Sequence, residues 1–271
     1  MSNKYPIDDD DLASTQEKAR IANVDAALER AYELAEMIYA RDEDLFIQNL
    51  PSFLAMPEAN IAMNADKDPD FRRGRGDGTG GQSVTLLELA AQERLPHALQ
   101  ALISAGGDLA AFDILGKRPI HGMISPALDN WECLRVALAA GASPSAPDKR
   151  GATPLHLAIL GGRTGASKET LHACSILLAA GADIFAADLS GLDPMAMAFK
   201  TTSGNWGSVL LLDACPEALR EPLIASARAS NEKFPKNGGA TWALVEAWAL
   251  ANAALPKAQL EAGSASQKMR I

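Results

Sequence analysis

The sequence predicts an all-α fold of stacked helical repeats, and two recurring elements carry this prediction. A glycine-containing element occurs three times, at Gly106-Gly107-Asp108, Gly141-Ala142-Ser143 and Gly181-Ala182-Asp183. An Asp-x-x-Gly-x-x-Pro element follows each of them, beginning at Asp113, Asp148 and Asp188. The two elements keep their order and recur at spacings of 35 and 40 residues, and periods of about 20–50 residues are typical of proteins built from stacked repeats.

Each residue type in these elements has a physical reason for its place. Proline suits the first turn of a helix, because its missing N–H would have no partner there. Glycine after the second helix supplies the left-handed conformation that ends it. The first helices open at Thr85, Arg118, Thr153 and Asp193, so the spacings are 33, 35 and 40 residues. The longer spacings predict extra residues between the two helices of the second and third repeats.

The third repeat is the most regular of the four. Its first helix is preceded by Gly151 and reads Thr153-Pro154-Leu155-His156-Leu157-Ala158, and its second helix ends near Gly181. This pattern resembles the ankyrin repeat, and the resemblance covers about residues 80–215. It implies a helical solenoid with repeats at about 80–112, 113–147, 148–187 and 188–215.

The resemblance also implies a structural role for the motif histidine, which in this family bonds to the backbone and to the motif threonine. His156 has Thr153 in the required place, whereas His121 has Arg118 instead. In the first repeat, Thr85 pairs with Glu88. Asp193 of the fourth repeat cannot make the same contact, so we expect that repeat to be less regular or less stable.

Helical flanks are predicted on both sides of the repeats. Residues 12–63 are predicted to form an N-terminal helical cap, because apolar residues from Ile21 to Ile38 keep a helical spacing. Residues 1–11 are predicted to be a disordered tail. A Gly-rich, charged linker is predicted at 64–82, with a candidate anion contact at Arg72, Arg73 and Arg75.

The C-terminal flank, residues 216–262, is predicted to be a helical cap or a degenerate fifth repeat. Pro235 and Gly238 predict a break at 234–239 between its two helices. Residues 263–271 are predicted to be a tail.

Composition and charge exclude several classes of function. The net charge of −9 argues against general nucleic-acid binding, which needs a basic surface. No apolar run reaches the length of a membrane span, and no secretory signal is visible. We therefore expect a cytoplasmic protein with no membrane contact. Cys133, Cys174 and Cys215 are predicted to be buried free thiols.

The sequence contains no recognisable catalytic motif. No metalloprotease, serine hydrolase, phosphate-loop or kinase pattern occurs, and no group of His, Cys and carboxylate residues has the spacing of zinc ligands. The sequence therefore predicts a protein that is not an enzyme and that binds no cofactor or metal. An enzyme or a sensor of small ligands would have to use the flanking helices.

Ankyrin repeats usually bind proteins through their turn tips and the exposed side of their first helices. Carried over to this chain, the resemblance implies protein-binding roles for Phe112, Ile114, Leu115, Lys117, Lys149, Arg150, Leu160, Leu189, Ser190, Leu192 and Lys200. Phe112, Ile114, Leu115, Leu189 and Leu192 are expected to be an exposed apolar set. Lys149 and Arg150 are expected to face a carboxylate-bearing surface on a partner that has an acidic patch there or is basic overall.

The expected function is therefore a non-catalytic adaptor, scaffold or inhibitor of one specific protein, from a bacterium or a phage, monomeric when alone. Two alternatives stay open at this point. A toxin-neutralising immunity protein would have one tight partner. A secreted effector would bind a host protein and carry a secretion signal.

Overall fold

The fold is all-α, as predicted. A computed structural model describes residues 9–64, 85–112, 116–124, 130–161, 168–201 and 204–253. These residues form helices and contain no strand, and the fold class is that of an ankyrin-repeat helical solenoid. No described helix is both long enough and apolar enough to span a membrane. The chain divides into two compact units, unit 1 with Met1–Met123 and Asn130–Lys149, and unit 2 with Ile124–Asp129 and Arg150–Ile271.

Unit 1 begins with a long helix that supports the first repeat. The helices of unit 1 are α1 (Asp9–Tyr39), α2 (Glu43–Leu54), α3 (Ala59–Asn64), α4 (Leu86–Gln92), α5 (Pro96–Ser104), α6 (Pro119–Gly122) and α7 (Trp131–Ala139). Helix α1 packs against α2, α3 and α4, and α5 packs against α2, α4 and α7. The spacing of three and four residues places one apolar face of α1 in the core. The fully buried residues of this face are Ala27, Ala31, Leu34, Ala35 and Ile38.

The N-terminal helix starts earlier than predicted. Helix α1 begins at Asp9, so residues 9–11 belong to the helix and not to a tail of residues 1–11. Acidic residues are favoured at this position because the N-terminus of a helix carries partial positive charge. Residues 1–8 and 65–84 lie outside the described residues. The linker at 64–82, with its three arginines, therefore stays a prediction.

A carboxylate ties α2 to the first repeat. Glu43 accepts the backbone N–H of Ala98 at 2.7 Å through Oε1, and its Oε2 lies 2.9 Å from Nδ1 of His97. The hydrogen bond to Glu43, with the negative charge of that carboxylate, raises the pKa of His97. Arg41 adds a second tie, because Nε and Nη2 each lie 3.1 Å from the same carboxylate oxygen of Glu93.

The end of α4 offers a test of backbone strain. Arg94 has φ 62°, a left-handed conformation that costs a non-glycine residue about 1–2 kcal/mol. We expect Arg94→Gly to raise the free energy of unfolding by about 0.5–1 kcal/mol, since glycine removes this strain but loses more backbone entropy. Urea denaturation measures the change. Arg135→Gly, within α7, is the control and is expected to lower stability by about 1 kcal/mol. A loss of stability in Arg94→Gly would contradict this account.

Unit 2 contains the two remaining repeats and a longer helical pair. Its helices are α8 (Pro154–Gly161), α9 (Lys168–Ala179), α10 (Pro194–Thr201), α11 (Gly207–Ala214), α12 (Glu217–Lys233) and α13 (Pro235–Ala253). First helices pack together, α8 on α10, and second helices pack together, α9 on α11. Both α12 and α13 pack against α10 and α11. The core of the unit includes Leu155, Ile159, Leu177, Met195, Phe199, Leu211 and Val245.

A break between two helices occurs within the predicted residues 234–239, but it comprises only Phe234, because α12 ends at Lys233 and α13 begins at Pro235. Helix α13 begins at Pro235, directly after Phe234, and includes Gly238 in its first turn. A Cβ atom on Gly238 would lie 2.8 Å from Oδ1 of Asn231 and 3.0 Å from Cδ1 of Phe199. This glycine therefore permits close packing and does not end a helix. Residues 254–271 lie outside the described residues, and the role of 216–262 as a cap stays a prediction.

Candidate protein-binding surface

The turn before each first helix is held by the hydrogen bonds that cap the N-terminus of that helix. These capping contacts differ from one repeat to the next. In the first repeat, the N–H of Glu88 donates to Oγ1 of Thr85 at 3.2 Å, and the N–H of Thr85 donates to Oε2 of Glu88 at 3.1 Å. This reciprocal pair confirms the predicted Thr85–Glu88 pairing and is a capping box. In the fourth repeat, Asp193 accepts the N–H of Ala196 at 2.7 Å and the hydroxyl of Ser226 at 2.8 Å. Asp193 thus caps its helix without the motif histidine.

The motif histidine of the third repeat is structural. His156 is fully buried, and its Nδ1 accepts the N–H of Thr153 at 3.0 Å and lies 2.9 Å from the Thr153 hydroxyl. Because Nδ1 accepts, Nε2 carries the ring hydrogen and donates to the carbonyl of Leu192 at 2.9 Å. The ring therefore fixes the start of its own helix to the next turn. In the second repeat, Nδ1 of His121 likewise accepts the backbone N–H of the residue three positions before it, Arg118, at 3.2 Å.

The turn region of unit 1 gathers an exposed aromatic ring and two cations. Phe112 is 41% exposed, and its ring centroid lies 4.4 Å from Cζ of Arg118 and 5.6 Å from Nζ of Lys149. Arg118 is held by hydrogen bonds from Nε to the carbonyl of Pro147 at 3.1 Å and from Nη1 to that of Ala110 at 2.9 Å. Both cations therefore lie close to the same aromatic ring.

A glycine places Lys149 in this arrangement. The N–H of Lys149 donates to the carbonyl of Gly116 at 2.8 Å. A Cβ atom on Gly116, which has φ 75°, would come within 2.5–2.6 Å of three carbons of the Lys149 side chain. The aliphatic part of Lys149 therefore lies directly against Gly116, and only its end reaches the ring.

The turn region of unit 2 presents Leu189 as a strongly exposed apolar side chain. Leu189 is 81% exposed, yet its backbone N–H donates to the carbonyl of Arg150 at 2.9 Å. Asp188 holds the turn by accepting the N–H groups of Ser190 and Leu192 at 2.7 and 3.0 Å. The exposed side chain of Leu189 therefore extends from a backbone that hydrogen bonds hold in place.

One predicted member of the exposed apolar set is a core residue. Leu192 is 2% exposed, and it lies beside the buried His156 ring, since its carbonyl accepts hydrogen bonds from that ring and from the N–H of Asp188. The prediction that Leu192 is exposed is wrong. Ile114 and Leu115 lie outside the described residues.

The other predicted contact residues differ in exposure. Lys149, Arg150, Ser190 and Lys200 are exposed, whereas Lys117 and Leu160 are half-buried. Lys149 is the last residue of unit 1, and Arg150 is the first residue of the second segment of unit 2. Their roles in binding stay predictions.

Sequence reasoning did not select Arg118 as a site residue. Its signal was nevertheless visible, because Arg118 stands where the regular motif has threonine. A side chain that no longer serves the motif histidine is free to extend toward Phe112. Phe185, which is 39% exposed, was also missed, and the equivalent residues Ala110 and Ser145 show that a phenylalanine is unusual there.

The cysteines are free and buried, as predicted. Burial raises the pKa of Cys133 and of Cys174 to about 12, and it also raises the pKa of Cys215. Thiols with a pKa this high stay protonated and unreactive near neutral pH. Among the described residues, no group of three His, Cys, Asp or Glu side chains is arranged to hold a metal ion.

Comparisons with known proteins agree with the repeat geometry. The family model of the ankyrin repeat matches residues 150–189, which include the motif of His156 and the turn of Leu189. The chain is 34% identical over 173 residues to protein PhlB of Serratia liquefaciens. That alignment covers 64% of this chain and 68% of PhlB.

Proposed function

This chain belongs to the ankyrin-repeat family, and from that premise we propose that it is a non-catalytic, cytoplasmic protein that binds one specific protein as an adaptor or inhibitor. Ankyrin repeats typically present binding surfaces for proteins, and enzymes are unusual in this family. The similarity to a protein of Serratia liquefaciens supports a bacterial origin.

The observation that carries the proposal is the exposure of large apolar side chains on fixed turns. Phe112 is 41% exposed and Leu189 is 81% exposed, and hydrogen bonds hold the backbone near each of them. Exposed apolar groups beside charged ones are common at interaction sites. A turn that is already ordered loses little conformational entropy when a partner binds.

The adjacent cations Lys149 and Arg150 give the direct test. We expect Lys149→Glu/Arg150→Glu to weaken binding of the partner at least about tenfold, because like charges across an interface repel. The purified full-length chain is used to capture proteins from a bacterial lysate, and the affinity for the captured protein is then measured by calorimetry. Both side chains are exposed, so the fold is expected to be retained.

A matched control separates the position of the charges from the change in net charge. Arg135→Glu/Lys236→Glu reverses one arginine and one lysine on α7 and α13, both exposed. This variant is expected to bind like the wild type. Equal loss in both variants would show a general charge effect, and retention by the turn variant would exclude Lys149 and Arg150 from the site. Capture of no stoichiometric partner would contradict the proposal itself.

A further inference from the structure

We propose that Arg118, Phe112 and Lys149 of unit 1 form a clamp for a peptide segment in which carboxylates alternate with apolar side chains. This inference rests on the proposed protein-binding function and names the chemistry of the partner at one of its turns. It assigns a role to Arg118, the residue that departs from the regular threonine of the motif.

Both cations of the clamp are held in position without a carboxylate. Among the described residues, neither Arg118 nor Lys149 forms an ion pair, although the chain has a net charge of −9. The guanidinium of Arg118 is fixed by two backbone carbonyls, and Nη2 donates to none of the described residues. Lys149 is positioned by its stem on Gly116. Within the described part of the chain, both charges therefore face no carboxylate.

The aromatic ring that both cations approach favours a ligand that carries an apolar group as well as a negative charge. Phe112 is stacked by Arg118 at 4.4 Å and approached by Lys149 at 5.6 Å, yet 41% of its surface stays exposed. An apolar side chain of a partner can cover this surface while its neighbouring carboxylates reach the cations. Charge complementarity thus favours an acidic, amphipathic segment over an isolated ion.

The cation positions also limit the size of the ligand. Cζ of Arg118 and Nζ of Lys149 lie 4.4 and 5.6 Å from the same centroid, so they are at most 10.0 Å apart, which is the sum of the two distances. This upper limit is short enough for two carboxylates of one peptide segment to reach both cations.

The test is an NMR titration of the full-length, 15N-labelled chain with a defined peptide, acetyl-Glu-Leu-Glu-Leu-Glu-amide. We expect the amide signals of Gly116, Arg118 and Lys149 to shift with a saturable dependence on peptide concentration. The Gln-Leu-Gln-Leu-Gln peptide is expected to bind about fivefold more weakly, since it lacks the ion pairs. Inorganic phosphate serves as the probe of a simple anion site, and equal or tighter binding of phosphate would overturn the proposal.

Arg118→Thr is the decisive variant because it restores the regular motif. Thr153 shows that a threonine here can bond to the motif histidine, so thermal unfolding is expected to stay close to that of the wild type. The ratio of the affinity for the Glu peptide to that for the Gln peptide should fall to about one in Arg118→Thr. The ratio should stay unchanged in Arg135→Thr, a variant with the same change of charge on α7. Arg118→Lys keeps the charge but loses the two-carbonyl anchor, and we expect an intermediate preference.

The outcome is independent of whether a natural partner is captured. A wild-type chain without preference for the Glu peptide, or an Arg118→Thr chain that keeps it, would overturn the clamp. Either result would leave the capture experiment with Lys149→Glu/Arg150→Glu able to support the proposed function. Conversely, peptide binding at the clamp with no captured partner would contradict the adaptor or inhibitor function alone.

Discussion

Gly151→Ala is expected to lower the free energy of unfolding by about 2–4 kcal/mol, because the glycine is required for two separate reasons. Gly151 has φ 78°, which strains any residue with a Cβ atom. That Cβ atom would also lie 2.7 Å from the backbone nitrogen of Leu189 and 3.2 Å from backbone carbons of Asp188. Backbone cannot move aside as a flexible side chain can, so the neighbouring turn must shift.

Gly181→Ala isolates the first of these two effects. Gly181 has φ 86°, but a Cβ atom added to it would have no neighbouring atom within 4 Å. Its substitution is therefore expected to cost only the left-handed strain of about 1–2 kcal/mol. Urea denaturation of the two variants measures the difference. Equal losses of stability would contradict the account, because they would mean that the close approach of Gly151 to Leu189 has no energetic effect.

The fold could be predicted because the signals that specify it are local. Proline at the start of a helix and glycine after its end act within one or two turns of the chain. These residues therefore indicate the helical pairs in order, and α4, α6, α8 and α10 each begin one residue after Thr85, Arg118, Thr153 and Asp193. The capping of Thr85 by Glu88 is also local, since three residues separate the two partners.

Exposure within the turns could not be predicted in the same way. Leu189 and Leu192 are three residues apart on one turn, and the sequence pattern treats them alike. The carbonyl of Leu192 receives a hydrogen bond from His156, which is 36 residues away in the chain, and the residue is 2% exposed beside that buried ring. The backbone N–H of Leu189 donates to the carbonyl of Arg150, yet Leu189 is 81% exposed. Both residues bond through the backbone, so exposure depends on tertiary packing that the local sequence does not contain.

The role of Gly238 could not be predicted from the local sequence either. Near Gly238, the residues Pro235 and Asn237 resemble a helix break, and each is locally unfavourable inside a helix. The structure places proline in the first turn, where it is tolerated, and Gly238 against Phe199 of α10. The benefit of that close contact depends on tertiary packing, which a local pattern does not contain.

Departures from the motif were more informative than matches. Asp193 and Arg118 both replace threonine, and the fourth repeat was expected to be less regular or less stable because of Asp193. Asp193 receives hydrogen bonds from Ala196 and from Ser226 of α12. Arg118 extends to Phe112 and to two carbonyls. In each case the side chain gained a partner outside its own helix, so the sequence marks an irregular position without giving its contacts.

His156→Ala is expected to have the largest effect on stability, a loss of about 3–5 kcal/mol in the free energy of unfolding. The ring is fully buried, so its removal leaves a cavity. It also leaves the N–H of Thr153 without its present partner and removes one of the two hydrogen bonds that the carbonyl of Leu192 accepts, the other being from the N–H of Asp188. An unpaired buried polar group costs about 1–3 kcal/mol. Because the ring joins two successive turns, the loss should also loosen the turn that carries Leu189.

Two further variants test the origin of this effect by urea denaturation. Thr153→Val removes only the hydroxyl beside Nδ1 and is expected to cost about 1 kcal/mol. His172→Ala makes the same substitution at an exposed position of α9 and is expected to change stability by about 0.5 kcal/mol or less. If His156→Ala unfolds at the same urea concentration as His172→Ala, the buried ring does not join the turns energetically. Losses of stability that increase from His172→Ala to Thr153→Val to His156→Ala would instead show that the motif histidine is the main polar link between the third and fourth repeats of unit 2.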